Sequence, residues 1–250
     1  TIPEILNMLE VGAKVWINDG KIGAKVTSLS PEGVILEIIQ ARKKGEKLRP
    51  DKGINFPDTT LNLNPLTSKD QQDLDFIAHH ADIIGYSFVQ KATDIELLQL
   101  ELKQRLGANW RKPAIVAKIE TPEAVKNLPE LIVRAAGQQP FGVMIARGDL
   151  AVEIGYERLA EIQEEILWLC QAAHVPVIWA TQVLENLVKN RIPSRAEITD
   201  AAMSERAECV MLNKGDYIAE GVTILDDVLK RMEAHQSKKT PQLRALHSWK

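Results

Sequence analysis

The sequence predicts an α/β protein: a partial (β/α)8 TIM barrel of about five C-terminal βα units, preceded by part of a small β-barrel domain. Three observations lead there. From residue 66 onward, short apolar runs alternate with helix-like stretches, which specifies a parallel sheet. The runs begin near Asp82, Ala114, Phe141, Val175 and Glu208, at intervals of 32, 27, 34 and 33 residues, close to the roughly 31 residues per unit of a ~250-residue eight-unit barrel. No glycine-rich turn follows the first run, as an open dinucleotide-binding sheet would need. With only five strands in residues 66–250, about three units of an eight-unit barrel are absent, and the barrel as written cannot close.

In chain order, residues 1–12 suit a short helix with Ile5, Leu6 and Leu9 on one side. Lys14–Ile17 and Lys21–Val26 flank Asn18-Asp19-Gly20, a hairpin signal because Asp and Gly tolerate positive φ. Gly33–Ile39 follows a second turn, Ser30-Pro31-Glu32-Gly33. Residues 41–53 are a basic connector in which Arg42, Lys43, Lys44, Lys47, Arg49 and Lys52 face only Glu46 and Asp51. It reads as a solvated loop or as a lid or hinge offering cations to a phosphate, with Lys52-Gly53 the part of interest. Residues 54–66, with Pro57 and Pro65, read as an extended linker. The division is therefore 1–65 for the small β unit and linker, and 66–250 for the partial barrel.

The first barrel helix starts near Ser68, with Ser68 and Gln71 as a capping box and Leu74, Ile77 and Ala78 as its apolar side. Later helices are expected at Asp94–Leu106, Pro122–Ala136, Tyr156–Ala173, Ala196–Glu205 and Glu220–His235. Thr121 caps the second of these with Pro122 at its first position. In the third, Leu159, Ile162, Ile166, Leu169 and Ala173 mark the core face.

Composition bounds the function. The chain is 45% hydrophobic with a net charge of -3, so general nucleic-acid affinity is not expected and the partner is a small molecule. There is no apolar run of about eighteen residues and no signal-peptide pattern, so no membrane role is expected. Cys170 and Cys209 read as buried thiols in a reducing, cytoplasmic compartment. The tryptophans at 16, 110, 168, 179 and 249 read as packing groups, and His79, His80 and His174 as helix-end residues without chemistry.

The chemistry is written at strand ends. Ala114-Ile115-Val116-Ala117 runs into Lys118-Ile119-Glu120, and Gly142-Val143-Met144-Ile145-Ala146 into Arg147-Gly148-Asp149. Strands buried on both faces read as continuous apolar runs, and α/β proteins carry their chemistry at the carboxyl ends. Charges in solvated loops are the alternative; two consecutive runs with the same ending weaken it. Glu120 and Asp149 on neighbouring strands suit a hard divalent ion such as Mg²⁺, which keeps waters and takes its last ligands from substrate. No His stands at a strand end, which disfavours zinc. Lys118 shares a strand face with Glu120, where it would stabilise an enolate or a moving phosphoryl group, or simply neutralise the carboxylates. Leu150–Ile154 suits a short helical turn whose free N–H groups, with Gly148 permitting close approach, would hold a carboxylate or phosphate. Trp179-Ala180-Thr181-Gln182 puts the Thr181 hydroxyl on the same rim, although Thr and Gln there are also ordinary turn residues.

Ala117-Lys118-Ile119-Glu120, Met144 to Leu150, Val177 to Gln182, Pro193-Ser194-Arg195-Ala196-Glu197 and Cys209-Val210-Met211-Leu212 together resemble the successive signatures of the pyruvate kinase family. Val15 to Gly20, Lys52 to Pro57 and Ser87-Phe88-Val89 match it too, so the resemblance runs over nearly the whole chain. It implies phosphoryl transfer from phosphoenolpyruvate to ADP, giving pyruvate and ATP, with Mg²⁺ or Mn²⁺ and usually K⁺. It implies that Lys118 stabilises enolate and phosphoryl, that Glu120 and Asp149 are the metal ligands, and that backbone groups around Ala146, Arg147, Gly148 and Asp149 hold the substrate carboxylate. Thr181 would stand near the enolate carbon that is protonated, and Lys52 near the nucleotide phosphates.

Departures from the family pattern set further expectations. The first three barrel strands, the substrate-phosphate arginine and the K⁺ ligands are expected outside this chain, and a 250-residue piece alone is expected to be inactive. Asn213-Lys214-Gly215-Asp216 stands where the family has Ser-Gly-Glu-Thr, which bears on nucleotide or monovalent-ion handling. The chain ends in a basic tail, Lys238 to Lys250, without the family's regulatory C-terminal domain, so control through that domain is not expected. The competing readings are a metal-dependent, pyruvate-related aldolase or lyase, and a non-catalytic remnant. Unpaired strand edges near Asp82 and Glu208 predict a homo-oligomer or pairing with the N-terminal part.

Overall fold

The computed structural model describes residues 2–61 and 63–236. The basic tail Lys238 to Lys250, with Trp249, lies outside the described residues. The small unit is an antiparallel sheet of β1 (Lys14–Ile17), β2 (Ile22–Ser30), β3 (Gly33–Gln40) and β4 (Ile54–Asn55), in the order β3-β2-β1-β4. Its hairpin turn has Asn18, Asp19 and Gly20 at φ 56, 55 and 75°, the left-handed run the Asp-Gly signal predicts. Leu9, Val15, Ala24 and Val26 form its core. Pro3–Met8 is a 3-10 helix rather than an α-helix, and Leu6 is 47% exposed while Leu9 is buried. The tighter winding of so short a segment moves Leu6 off the inward side. The expected linker is also corrected at its start, because Trp16 and Ile17 pair with Asn55 and Ile54, making this segment the fourth strand.

The second sheet has five parallel strands in chain order: β5 (Ile83–Tyr86), β6 (Ala114–Ile119), β7 (Phe141–Ala146), β8 (Val177–Val183) and β9 (Cys209–Leu212). Helices α1 (Ser68–His80), α2 (Ala92–Leu106), α3 (Pro122–Lys126), α4 (Leu128–Ala136), α5 (Arg147–Ile154), α6 (Tyr156–Ala172), α7 (Glu185–Asn190), α8 (Arg195–Met203) and α9 (Ile218–Gln236) connect and cover them. The result is a curled half of a TIM barrel. Ile115, Ala117, Ile119, Val143, Ile145, Val177 and Trp179 join the core shared with the helices. Val116, Ala146 and Ala180 are buried outside that cluster, on the other face of the strands. Among the described residues β5 and β9 each have one strand neighbour, so the half-barrel has two open edges.

Several local expectations shift for identifiable reasons. The α1 capping box is Thr67 with Asp70, one residue earlier than Ser68 and Gln71: Asp70 N–H donates to Thr67 Oγ1 at 3.2 Å, and Thr67 N–H to Asp70 Oδ2 at 2.8 Å. The helix expected over Pro122–Ala136 is divided at Asn127, because Pro129 has no N–H to give the Val125 carbonyl. In α6 the buried row is Ile162, Glu165, Ile166 and Cys170; Leu159 and Leu169 lie at its margins and Ala173 is exposed. Cys170 is buried, which pushes its thiol up to about 12, with Glu208 adding to the effect. Cys209, expected to be buried, is exposed because β9 is an edge strand. No described helix is long and apolar enough to cross a membrane.

Candidate active site

Register brings three strand ends level. Ile119 pairs with Ile145 and Ile145 with Trp179, so Glu120, Ala146 and Ala180 follow side by side. Glu120 is 1% exposed. Its Oε1 meets Lys118 Nζ at 2.9 Å, and its Oε2 accepts the Phe88 N–H at 2.6 Å. Lys118 Nζ also donates to Ser87 Oγ at 3.0 Å. Phe88 sits at φ 53°, a left-handed conformation that costs about 1–2 kcal/mol in a bulky residue. Burial raises the Glu120 carboxyl above its ordinary range; Lys118 and Phe88 pull it down and Asp149 pushes it up again. A carboxylate so buried, with a second acidic group near it, would be relieved by a bound cation.

Asp149 lies in the first turn of α5, which begins at Arg147 and not at Leu150 as expected. Arg147, Gly148 and Asp149 thus supply the opening N–H groups, which have no acceptor within the helix. Asn55, buried at the end of the small sheet, donates from Nδ2 to Asp149 Oδ1 at 3.4 Å. One turn on, burial raises the Glu153 carboxyl, hydrogen bonding from Asn55 and from the Phe56 backbone lowers it, and Asp149 and Asp58 raise it. Gly148 has a steric reason: a Cβ there would lie 2.6 Å from Thr181 Cγ2. Thr181 and Gln182 are at φ 75 and 61°, and the β8–β9 pairing jumps from Trp179–Val210 to Val183–Leu212 around them. A β-branched residue in that region is an outlier, and it turns the end of β8 onto α5.

The Arg147 side chain, 10% exposed, is held by protein groups. Its Nε donates to Ala180 O at 2.8 Å and its Nη2 to Thr181 O at 2.7 Å; the guanidinium pairs with Asp200 and lies 4.5 Å from the Trp179 ring centre. Four of the five guanidinium N–H groups are thus taken by protein acceptors. Lys52 is exposed, three residues before Asn55, and is not brought into the cluster. Asn55, Phe88, Glu153 and Asp200 were not singled out from sequence. Asn55 and Phe88 fall inside the quoted motifs Lys52–Pro57 and Ser87–Val89, which was the available signal; Asp200 had none.

Two clefts flank these residues. One of about 710 Å³ is bordered by Asn55, Phe56, Ser87, Phe88, Thr121 and Glu153. The other, about 250 Å³, is bordered by Asp19 of the hairpin, Arg147, Gly148, Thr181, Gln182 and Asp200. No group of three or more His, Cys, Asp or Glu residues among the described residues could hold a metal ion by itself. A pair of carboxylates fits an ion that completes its shell with water and substrate oxygens, as Mg²⁺ does.

The sequence model of the pyruvate kinase barrel domain matches residues 1–222. Curated relatives include a pyruvate kinase of Rattus norvegicus, 35% identical over 237 residues covering 92% of this chain and 39% of the relative. Others are a pyruvate kinase of Geobacillus stearothermophilus, 35% identical over 241 residues (93% and 39%), and one of Agrobacterium vitis, 34% identical over 240 residues (93% and 46%). The chain spans less than half the length of each of these relatives. With the half-barrel and its charged rim in place, the match over most of its length settles membership: this chain belongs to the pyruvate kinase family.

Proposed function

We propose that the protein carrying this chain transfers the phosphoryl group of phosphoenolpyruvate to ADP, giving pyruvate and ATP in glycolysis. The observation that carries this reading is the corner formed by the Lys118–Glu120 pair and Asp149 at adjacent strand ends. Glu120 and Asp149 would hold Mg²⁺ or Mn²⁺, and the ion supplies charge neutralisation at the phosphoryl and enolate oxygens. As the bridging P–O bond breaks and the phosphoryl passes to the terminal oxygen of ADP, the Lys118 ammonium offsets the negative charge left on the enolate oxygen. Backbone N–H groups at the start of α5, following Ala146 through Arg147, Gly148 and Asp149, orient the substrate carboxylate. Thr181 stands by the carbon that takes up a proton, and Lys52 serves the nucleotide phosphates.

The small β unit (1–65) acts as the lid and residues 66–250 as the part of the barrel holding half the site. The K⁺ ligands and the substrate-phosphate arginine belong to strands outside this chain. The open edges at β5 and β9 pair with that N-terminal part or with another copy, and the isolated 250-residue piece is inactive. The protein works in the cytoplasm, with no membrane or nucleic-acid partner. The test is Mg²⁺-dependent ATP formation from phosphoenolpyruvate by the native gene product. Lys118→Met and Asp149→Ala should each lower kcat by about 10²–10³ or more. Full activity in either variant removes this reading, and turnover of a 2-oxo acid without nucleotide assigns the aldolase class instead.

A further inference from the structure

The small sheet reaches the β6 side of the rim through a buried amide. Asn55 is 6% exposed and held in register opposite Trp16, and its side chain reaches across to α5. There Nδ2 donates to Asp149 Oδ1 at 3.4 Å, while Glu153, one turn further along the same helix face, borders the cleft beside Asn55 and Phe56, which offset part of the upward pull of burial on its carboxyl. A lysine at this place would orient Asp149 but would also cancel the charge that a cation needs. A neutral amide orients without neutralising.

We propose that Asn55 is a positioning residue for Asp149, fixing which carboxylate oxygen faces the site, with Glu153 anchoring the amide so that the seating of the small sheet on α5 sets the geometry of the metal ligand. This rests on the reading of Asp149 as a ligand. Ligating carboxylates are themselves held by outer hydrogen bonds, and loss of such a partner typically weakens metal binding about 10–100-fold.

The experiment titrates Mn²⁺ into the native gene product without substrate or nucleotide, following the free ion by its electron paramagnetic resonance signal. Melting curves of the metal-free protein are recorded alongside. Asn55→Ala should raise the Mn²⁺ dissociation constant about tenfold with the metal-free melting temperature nearly unchanged; Glu153→Gln should raise it by a smaller factor, and Asp149→Ala by the largest. If Asp149→Ala weakens Mn²⁺ binding while Asn55→Ala and Glu153→Gln leave it within about twofold of the parent, the positioning role is overturned and the site stands. If Asp149→Ala has no effect, the site itself is misread. A lowered melting temperature with unchanged Mn²⁺ affinity reduces Asn55 to a structural contact and also overturns the proposal. Should Asn55→Ala fail to fold, Glu153→Gln decides by the same criterion.

Discussion

Arg147 and Asp149 are two residues apart in the first turn of α5, yet their side chains belong to different corners of the rim. On the β8 side, Arg147 gives its N–H groups to the Ala180 and Thr181 carbonyls and to Asp200, and it covers Trp179. Charge there is balanced by protein and fixes the backbone. On the β6 side, Glu120 is buried with a single cation beside it, and Asp149 adds a second negative charge held by a neutral amide. The contrast separates charges balanced by several protein groups from charges that the protein leaves less fully balanced, although both sit in the same sequence pattern of an apolar run ending in charge.

Substitution breaks the comparison most sharply at Arg147. Arg147→Met takes the guanidinium from Asp200 and a donor from each of the Ala180 and Thr181 carbonyls, and should cost about 3–5 kcal/mol in urea unfolding. Lys118→Met should cost clearly less, because Glu120, already raised by burial, can take up a proton when its cation is removed, whereas a carbonyl cannot replace a lost donor. Equal losses at the two positions would erase the distinction. The next effect lies on the boundary between the corners. Gly148→Ala drives a methyl into Thr181 Cγ2 and should cost about 1–3 kcal/mol. Thr181→Ser removes that Cγ2, so the double variant should recover most of the loss; independent, additive losses in urea midpoints would place the strain elsewhere.

What was legible in the sequence follows from how local each signal is. Alternating runs gave the parallel half-barrel, and the two charged run-ends gave Lys118, Glu120 and Asp149, since strand direction alone carries them to one rim. Pro129 is an equally local signal, yet the expected helix runs straight through it from Pro122 to Ala136. Asn55, Phe88 and Asp200 were not legible, because each acquires its role from a partner 94, 32 or 53 positions away. The function of the Arg147 side chain was hidden for the same reason: its acceptors are carbonyls on a different strand, turned toward it by left-handed residues that no periodicity announces.

The smallest effect tests the two corners by pH. Partial burial would raise Glu197, but hydrogen bonds from Ser194 and Asn186 outweigh it and hold the carboxyl below its ordinary value. Glu197 also closes the capping box of α8, accepting the Ser194 N–H at 2.8 Å. A lowered folded-state value means that its contribution is present above about pH 4.5 and is lost as pH falls through the folded value. Glu120 has the opposite sign: its value is raised by burial, so the protonated form is favoured on folding, and that contribution is complete below about pH 4.5 and lost as pH rises through the folded value. At pH 7 Glu197→Gln should therefore destabilise by about 1 kcal/mol, whereas Glu120→Gln should be neutral or stabilising in metal-free protein. Toward pH 3 both differences should shrink. Urea midpoints at a series of pH values read this directly, and the same sign for both substitutions at pH 7 would mean that Glu120 is held as firmly by its protein partners as Glu197 is.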